Sequence, residues 1–307
     1  MKKKVVLAGG TGFIGQYLEK RFKDQGYEVH IISRQSNQIL WKDHRGIVAA
    51  LEGAELVVNL AGKSVNCRYN AKNKKEILES RTKTTQLLGN AVASCENPPP
   101  LWINASTATI YRHAEDRPMT EQDGEIGEGF SVEVGKAWEQ AFFDFHLNRT
   151  RQVALRISIV LGAEGGVMGP YKNMVRFGLG GKQGPGKQMF SWVHIEDLYR
   201  MLVFLQYHKE IEGPVNAATP NPVTNRELME QMRKSMNRRI GLPTPKFMLS
   251  TGAAFIGTET ELILKSRWVL PEKLQQAEFE FEYGTIDKAL AEINKSKKKT
   301  KPEPQMK

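Results

Sequence analysis

The stretch VVLAGGTGFIG, residues Val5–Gly15, sets the reading of the whole chain. Four apolar residues suited to a buried strand run into Gly9, Gly12 and Gly15, and these open directly into the amphipathic pattern FIGQYLEKRF. Each part meets a physical requirement of dinucleotide binding. One glycine makes the tight turn, another lets backbone N–H groups approach a pyrophosphate, and a third lets the helix pack closely on the strand. The helix N-terminus adds partial positive charge. Glycine triplets also occur in plain structural turns, but strand, loop and helix in this order predict a nucleotide-binding βαβ unit.

Outward from this unit the alternation continues. The apolar runs EVHIIS, AELVVNLAG, LWINAS and QVALRISIVLG are separated by helical patterns over residues 47–51, 72–93 and 132–146. Continuous apolar strands between amphipathic helices are what a parallel sheet covered on both faces requires, so the expected class is α/β with a doubly wound parallel Rossmann sheet. Past Gly162 the texture turns glycine-rich, in GAEGGVMGPYKN and FGLGGKQGPGKQMFSWVH, without a clean period. Loops and short pieces are expected there, of the kind that cover a ligand. Further helices are expected over 195–207, 225–236 and 245–255, with PVNAA as one more short strand and breaks at 241–245 and 268–271.

With 307 residues, 40% apolar and 25% charged, the chain can bury one large core or two coupled ones. Its net charge of +10 sits mostly at the ends: Lys2, Lys3 and Lys4, and six lysines against Glu303 in 295–307, leave +2 for residues 5–294. A near-neutral body argues against nucleic acid as a partner. The basic tail, with prolines and no aromatic residue, is expected to be disordered. Cys67 and Cys95 are the only cysteines, without a CxxC or a histidine cluster, so no metal site is expected. No cationic-then-apolar segment precedes the first strand, and no apolar run reaches about 18 residues. A reduced, cytoplasmic setting without a membrane partner is expected.

The second strand bears on which dinucleotide. Where an NAD-binding protein places an acidic residue for the ribose hydroxyls, HIISRQSN offers Ser33 and Arg34. A planar, charged arginine fork grips a 2′-phosphate, so NADP (NADPH) is the expected cofactor.

Taken together, GGTGFIG, VVNLAGKSV, NASTATIYR and SWVHIEDL resemble the extended short-chain dehydrogenase/reductase superfamily in its epimerase/dehydratase branch. More specifically, ILESRTKTTQLL, WEQAF, LRISIVLGAEGGVMG, FGLGGKQGPGKQMFSWVHIEDL and VLPEKL are similar to its atypical group of nucleoside-diphosphate-sugar epimerase homologues. The likeness covers nearly all of residues 4–293. It implies an NADP-binding Rossmann domain over 1–165, with 190–218 returning to it, and a smaller C-terminal α/β substrate domain, mainly 166–294. The tail 295–307 lies outside it. Carried over residue by residue, the cofactor positions are Gly9, Thr11, Gly12, Phe13, Ile14, Gly15, Ser33 and Arg34, with Leu60, Ala61 and Gly62 beside the nicotinamide-side ribose and phosphates.

Proton chemistry in that superfamily uses a Ser or Thr on the substrate oxygen, a Tyr as acid or base, and a Lys four residues later that lowers the Tyr pKa and bonds the ribose. Thr107 occupies the hydroxyl position, with Ser106 beside it. In FSVEVGKAWEQAF the dyad is missing. Aligned on Glu139, the Tyr and Lys positions are Ser131 and Gly135, and sliding by one to use Lys136 puts Val132 where the phenol belongs. Tyr111 is the candidate replacement acid or base, and Lys136 remains a candidate for the ribose. Ser191 and Trp192 are expected to line the substrate cleft, whereas His194 and Asp197 read as local capping at a strand-to-helix junction. Arg81, mid-helix, reads as a solvated or helix-pairing residue, and neither it nor Arg68 is read as a ligand for an anionic substrate. Two functions fit: an NADP-dependent oxidoreductase or epimerase on a small, nucleotide-linked or free, carbonyl or hydroxyl compound, or a non-catalytic protein that senses NADP(H) or binds a partner. The missing dyad favours the second; the long glycine-rich cover favours the first.

Overall fold

Val5, Val6, Leu7 and Ala8 are all fully buried because β1 (Lys4–Ala8) lies inside a parallel sheet with helices on both faces. A computed structural model describes residues 3–245 and 264–299. In chain order β1 is followed by α1 (Phe13–Asp24), β2 (Glu28–Ser33), β3 (Ile39–Leu40), α2 (His44–Leu51), β4 (Leu56–Asn59), α3 (Ala71–Ala93), β5 (Leu101–Thr107), α4 (Phe130–Phe143) and β6 (Arg151–Ile157). Then come β7 (Ile159–Leu161), α5 (Met168–Arg176), β8 (Met189–Phe190), β9 (Trp192–His194), α6 (Ile195–Tyr207), β10 (Gly213–Ala217), β11 (Val223–Thr224), α7 (Asn225–Ser235), α8 (Glu272–Gln276) and α9 (Ile286–Lys299). The large sheet has the order β10-β6-β5-β4-β1-β2-β3, with every pairing parallel. This is a Rossmann-type doubly wound fold.

Strand alternation divides the sheet between two cores. Val5, Leu7, Leu56, Val58, Leu101, Ile103, Val153 and Leu155 face α1 and α6, where Leu18, Phe22, Leu198 and Leu202 meet them. Val6, Ala8, Val57, Trp102 and Ala154 face the other way, onto Ile47 and Leu51 of α2, Leu88 and Val92 of α3 and Phe142 of α4. Continuous apolar strand sequence follows directly, because neither face meets water.

A third cluster serves the C-terminal elements. Met168 and Val175 of α5, Leu228, Met229 and Met232 of α7, and Ile286, Ala289, Leu290 and Ile293 of α9 close over Phe190 and Trp192. The run QVALRISIVLG divides at Ser158, whose N–H and hydroxyl both donate to the Ala217 carbonyl (3.0 and 2.7 Å). β6 stays in the large sheet, and β7 leaves it to pair in parallel with β9. PVNAA forms β10 at the sheet edge, beside β6.

Two expectations are corrected. The glycine-rich segment 162–186 contains a helix, α5, because Met168, Lys172 and Val175 share a buried face despite the glycines around them. The basic tail is not irregular from 295 onward: α9 runs to Lys299, its apolar stripe anchored in the third cluster and its lysines compatible with helix. The expected helix 245–255 lies, from 246, outside the described residues. No helix among those described is long and apolar enough to cross a membrane.

Candidate cofactor and substrate cleft

The strand order reverses between β1 and β4, and the crevice outside their carboxyl ends is where open α/β sheets bind ligands. A cavity of about 540 Å³ lies there. The glycine loop, the segment after β4, the end of β5 and one face of α4 line it. A larger depression, about 1080 Å³, sits at the opposite sheet edge against Leu101 and Arg151, the first residues of β5 and β6.

Backbone approach explains the glycines. Gly9 has φ +75°, and a Cβ there would lie 2.7 Å from the Ala61 N and Cα. A Cβ on Gly15 would lie 2.4 Å from the Gly10 carbonyl oxygen, so the helix could not sit this close to its own loop. Around Gly12 a Cβ would meet nothing within 4 Å, and Gly12 caps α1 without a side-chain hydrogen bond. The first N–H groups of α1 therefore face the cavity without a capping side chain, as a bound phosphate requires.

The segment after β4 is fixed from below. Asn59, fully buried, accepts from the Ala61 N–H (3.0 Å) and donates to Asn104 Oδ1 (2.7 Å) and Thr85 Oγ1 (3.1 Å). Trp138 Nε1 donates to the same Thr85 oxygen (3.1 Å), which ties α4 into the network. Leu60–Gly62 is thus held by side chains from β4, β5, α3 and α4. At the end of β2, Ser33 is buried and its Oγ accepts from the Gln35 N–H (3.0 Å), which shapes the turn carrying Arg34. Arg34 is exposed, and no described residue engages its guanidinium.

Gly9, Gly12, Phe13, Ile14, Gly15, Leu60, Gly62, Ser106 and Thr107 all line the cavity. Thr11 lies in the loop and its carbonyl accepts from Gln16 Nε2 (3.1 Å), while Ala61 is buried behind Gly9. Thr107 Oγ1 accepts from the Thr109 N–H (3.1 Å), and no described acceptor takes its own hydroxyl hydrogen. Ser106 Oγ instead donates to buried Glu139 Oε1 (2.6 Å), so its hydrogen is already committed.

Four expected site residues are placed elsewhere. Tyr111 is 1% exposed, and its hydroxyl donates to Asn216 Oδ1 (2.9 Å) and accepts from Arg156 Nη1 (2.8 Å). Burial holds its phenol above the usual tyrosine range. It is a buried linker, not a residue of the cleft wall. Tyr111→Phe should leave cofactor affinity unchanged yet lower stability by about 1–3 kcal/mol in denaturant unfolding, since two buried partners lose their bond. Lys136 points outward from α4, half-exposed, and pairs with Glu133 (3.3 Å); a helix turns each successive residue by a third of a turn or so, which carries it off the cavity face. Ser191 and Trp192 are fully buried: Ser191 Oγ donates to the Arg267 carbonyl (2.8 Å), and Trp192 belongs to the third core cluster. Of the two residues read as local capping, His194 caps the junction, whereas Asp197 ties down a segment distant in sequence. His194 accepts from the Glu196 N–H (3.3 Å), and Asp197 accepts from the Glu282 and Tyr283 N–H groups (2.8 and 2.9 Å).

Tyr69, Arg81, Phe130, Ser131 and Trp138 also line the cavity. Arg81, expected as a solvated or helix-pairing residue, instead turns inward, because Ile77, Arg81 and Thr85 stand four apart on the buried stripe of α3. Ser131, at the superfamily's Tyr position, has a buried Oγ without a hydrogen-bond partner among the described residues. At the Lys position, a Cβ on Gly135 would already lie 3.2 Å from Thr107 Cγ2. Among the described residues no group of three His, Cys, Asp or Glu side chains is placed to hold a metal.

Residues 5–218 match the model of the NAD dependent epimerase/dehydratase family, and 244–293 match a domain of unknown function, DUF1731. The epimerase family protein YfhF of Bacillus subtilis is 31% identical over 301 residues, covering 94% of this chain and 97% of that protein. The crystal structure of the human epimerase family protein SDR39U1 with NADPH superposes with a TM-score of 0.86 at 31% identity, covering 95% of this chain and 99% of that one. A nucleoside-diphosphate sugar epimerase from Corynebacterium glutamicum aligns at 28% identity and a TM-score of 0.76, over 95% of this chain and 58% of that one.

Proposed function

This chain belongs to the NAD dependent epimerase/dehydratase family, and from that premise we propose that it binds NADP(H) in the cleft between β1 and β4 and acts as an oxidoreductase or epimerase on a small carbonyl or hydroxyl compound. The observation that carries the reading is the glycine cradle at the switch point together with exposed Arg34 at the end of β2. The relative crystallised with NADPH supports the choice of cofactor. Bound there, the dinucleotide would supply or accept a hydride. The chain's own contributions are physical. The α1 N-terminus and the glycine loop bind the pyrophosphate, and Arg34 grips the 2′-phosphate. Thr107 donates its uncommitted hydroxyl hydrogen to the substrate oxygen, holding the reacting carbon in the cleft. Elements after Gly162 cover the site as the mainly substrate-binding part.

Arg34→Asp tests the cofactor choice. NADPH affinity should fall by about 10- to 100-fold, the worth of hydrogen bonds to a charged phosphate, with NADH affinity held within about threefold. Calorimetric titration with both cofactors reads this directly. Turnover is tested by adding a panel of aldehydes, ketones and nucleotide-linked sugars to protein loaded with one equivalent of NADPH, while following the reduced nicotinamide absorbance. Loss of that absorbance with at least one compound class supports the enzyme. An epimerase returns its hydride and consumes no cofactor, so the same panel is also given to protein loaded with NADP and followed by NMR. Tight cofactor binding with neither loss of absorbance nor inversion of any compound would instead indicate a cofactor-sensing protein.

A further inference from the structure

The cleft contains a positive charge that no described carboxylate balances. Arg81 projects inward from α3, its guanidinium over the Trp138 ring at 4.9 Å from the centroid. Nη1 donates to the carbonyls of Lys63 (3.1 Å) and Ile77 (2.9 Å). A Cβ on Gly62 would lie 3.0 Å from its Cζ, so the absence of a side chain there is what admits the guanidinium. The N–H groups of Nε and Nη2 have no acceptor among the described residues, and no described carboxylate pairs with the charge. Burial draws its pKa down to about 10, which leaves it protonated at neutral pH. Lys63, the other cation among the described residues that line the cavity, is occupied by Asn73 Oδ1 (2.7 Å) and Glu76.

A desolvated cation without a counter-charge costs several kcal/mol, and such groups cluster where a ligand supplies the missing charge. The phosphates of a dinucleotide already have the glycine loop, the α1 N-terminus and Arg34. Arg81 lies on the far side of the segment that follows β4, against Gly62 and against Trp138 of α4. On that helix Ser131 lies two turns before Trp138, on the same face, with its buried hydroxyl lacking a partner among the described residues. Both groups lie in the cavity that Thr107 also lines.

We propose that Arg81 is the specificity-determining residue of the substrate pocket: it receives a carboxylate or phosphate group carried by the substrate, with Ser131 as a second donor to the same oxyanion. Resting on the NADP-dependent reading above, this narrows the substrate class to small anionic carbonyl or hydroxyl compounds. A planar fork on the cavity lining, with donors left over, matches an oxyanion, where an ammonium would offer only a point charge.

The test uses the full chain, with and without NADPH, titrated calorimetrically with malonate and with inorganic phosphate. Holoprotein should bind at least one of them saturably, and the tighter probe identifies carboxylate or phosphate as the natural group. Arg81→Met keeps the packing on Trp138 and removes an uncompensated charge, so it should fold at least as stably as the parent. Its probe affinity should fall by more than about tenfold with NADPH affinity within about twofold, whereas Arg81→Lys should recover only part of the loss. Equal probe binding by the parent and Arg81→Met, or none by the parent holoprotein, would overturn the proposal. So would a collapse of NADPH affinity in Arg81→Met, which would assign the guanidinium to the cofactor. Failure of the parent to bind NADPH at all would remove the cofactor reading instead; the glycine loop and Arg34 would then also be open to phosphate, so in the apoprotein only the share of probe binding that Arg81→Met removes reports on Arg81.

Discussion

Gly9→Ala is expected to abolish NADPH binding and to cost the fold about 2–4 kcal/mol, because it adds a left-handed alanine and a backbone collision at one position. The new methyl would lie 2.7 Å from the Ala61 N and Cα and 2.9 Å from the Leu60 carbonyl carbon. Main-chain atoms cannot swing aside as a flexible side chain can. Asn59 holds this segment through bonds to the Ala61 N–H, Asn104 and Thr85, so relief has to come from separating β1 from β4 at their carboxyl ends. That is the edge where the cofactor sits. Gly12→Ala supplies the contrast, because nothing lies within 4 Å of its added Cβ. It should unfold at the parent's denaturant midpoint while binding NADPH more weakly, its methyl standing in the pyrophosphate's approach. Denaturant unfolding and cofactor titration of the two variants separate the structural role of the loop from its binding role.

The second large effect concerns a buried charge pair behind the cleft wall. Glu139 Oε1 accepts from Ser106 Oγ (2.6 Å) and Arg156 Nε (2.8 Å), and Oε2 accepts from Arg156 Nη2 (2.7 Å). Both side chains are about nine-tenths buried, so water screens the pair little. Glu139→Ala should therefore lose about 3–5 kcal/mol, most of it the cost of leaving Arg156 charged and uncompensated. A fall in denaturant midpoint at unchanged slope is the expected signature. Adding Arg156→Met should return a substantial part, since it removes the orphaned charge. A loss below about 1 kcal/mol in Glu139→Ala would mean that the pair behaves like a surface salt bridge. The single variant should also disturb the end of β5, because Ser106 loses its acceptor next to Thr107.

Much of this was legible beforehand, for a definable reason. The strands β1, β4 and β5 carry apolar runs because both sheet faces are covered there, and the pattern alone identifies them. Gly9, Gly12 and Gly15 could be read because their role belongs to the backbone and needs no knowledge of distant partners. Side-chain roles set by tertiary neighbours could not. Tyr111 lies near Thr107 in sequence, yet Arg156 and Asn216, brought from β6 and β10, draw its hydroxyl into the core. Trp192 follows a motif-rich loop but is enclosed by helices contributed from far along the chain. Lys136 failed on rotation, one position off the inward face of α4. For Arg81 the signal was present: a charged residue on the stripe of Ile77 and Thr85 is turned inward by the helix whatever its solvation preference.

The central claim, an NADP site at the β1/β4 switch point selected by Arg34, is tested most directly by calorimetric titration of the unaltered protein with NADPH and with NADH. The account expects saturable, stoichiometric NADPH binding that is tighter than NADH by about tenfold or more. Equal affinity for the two, or NADH bound more tightly, would contradict it.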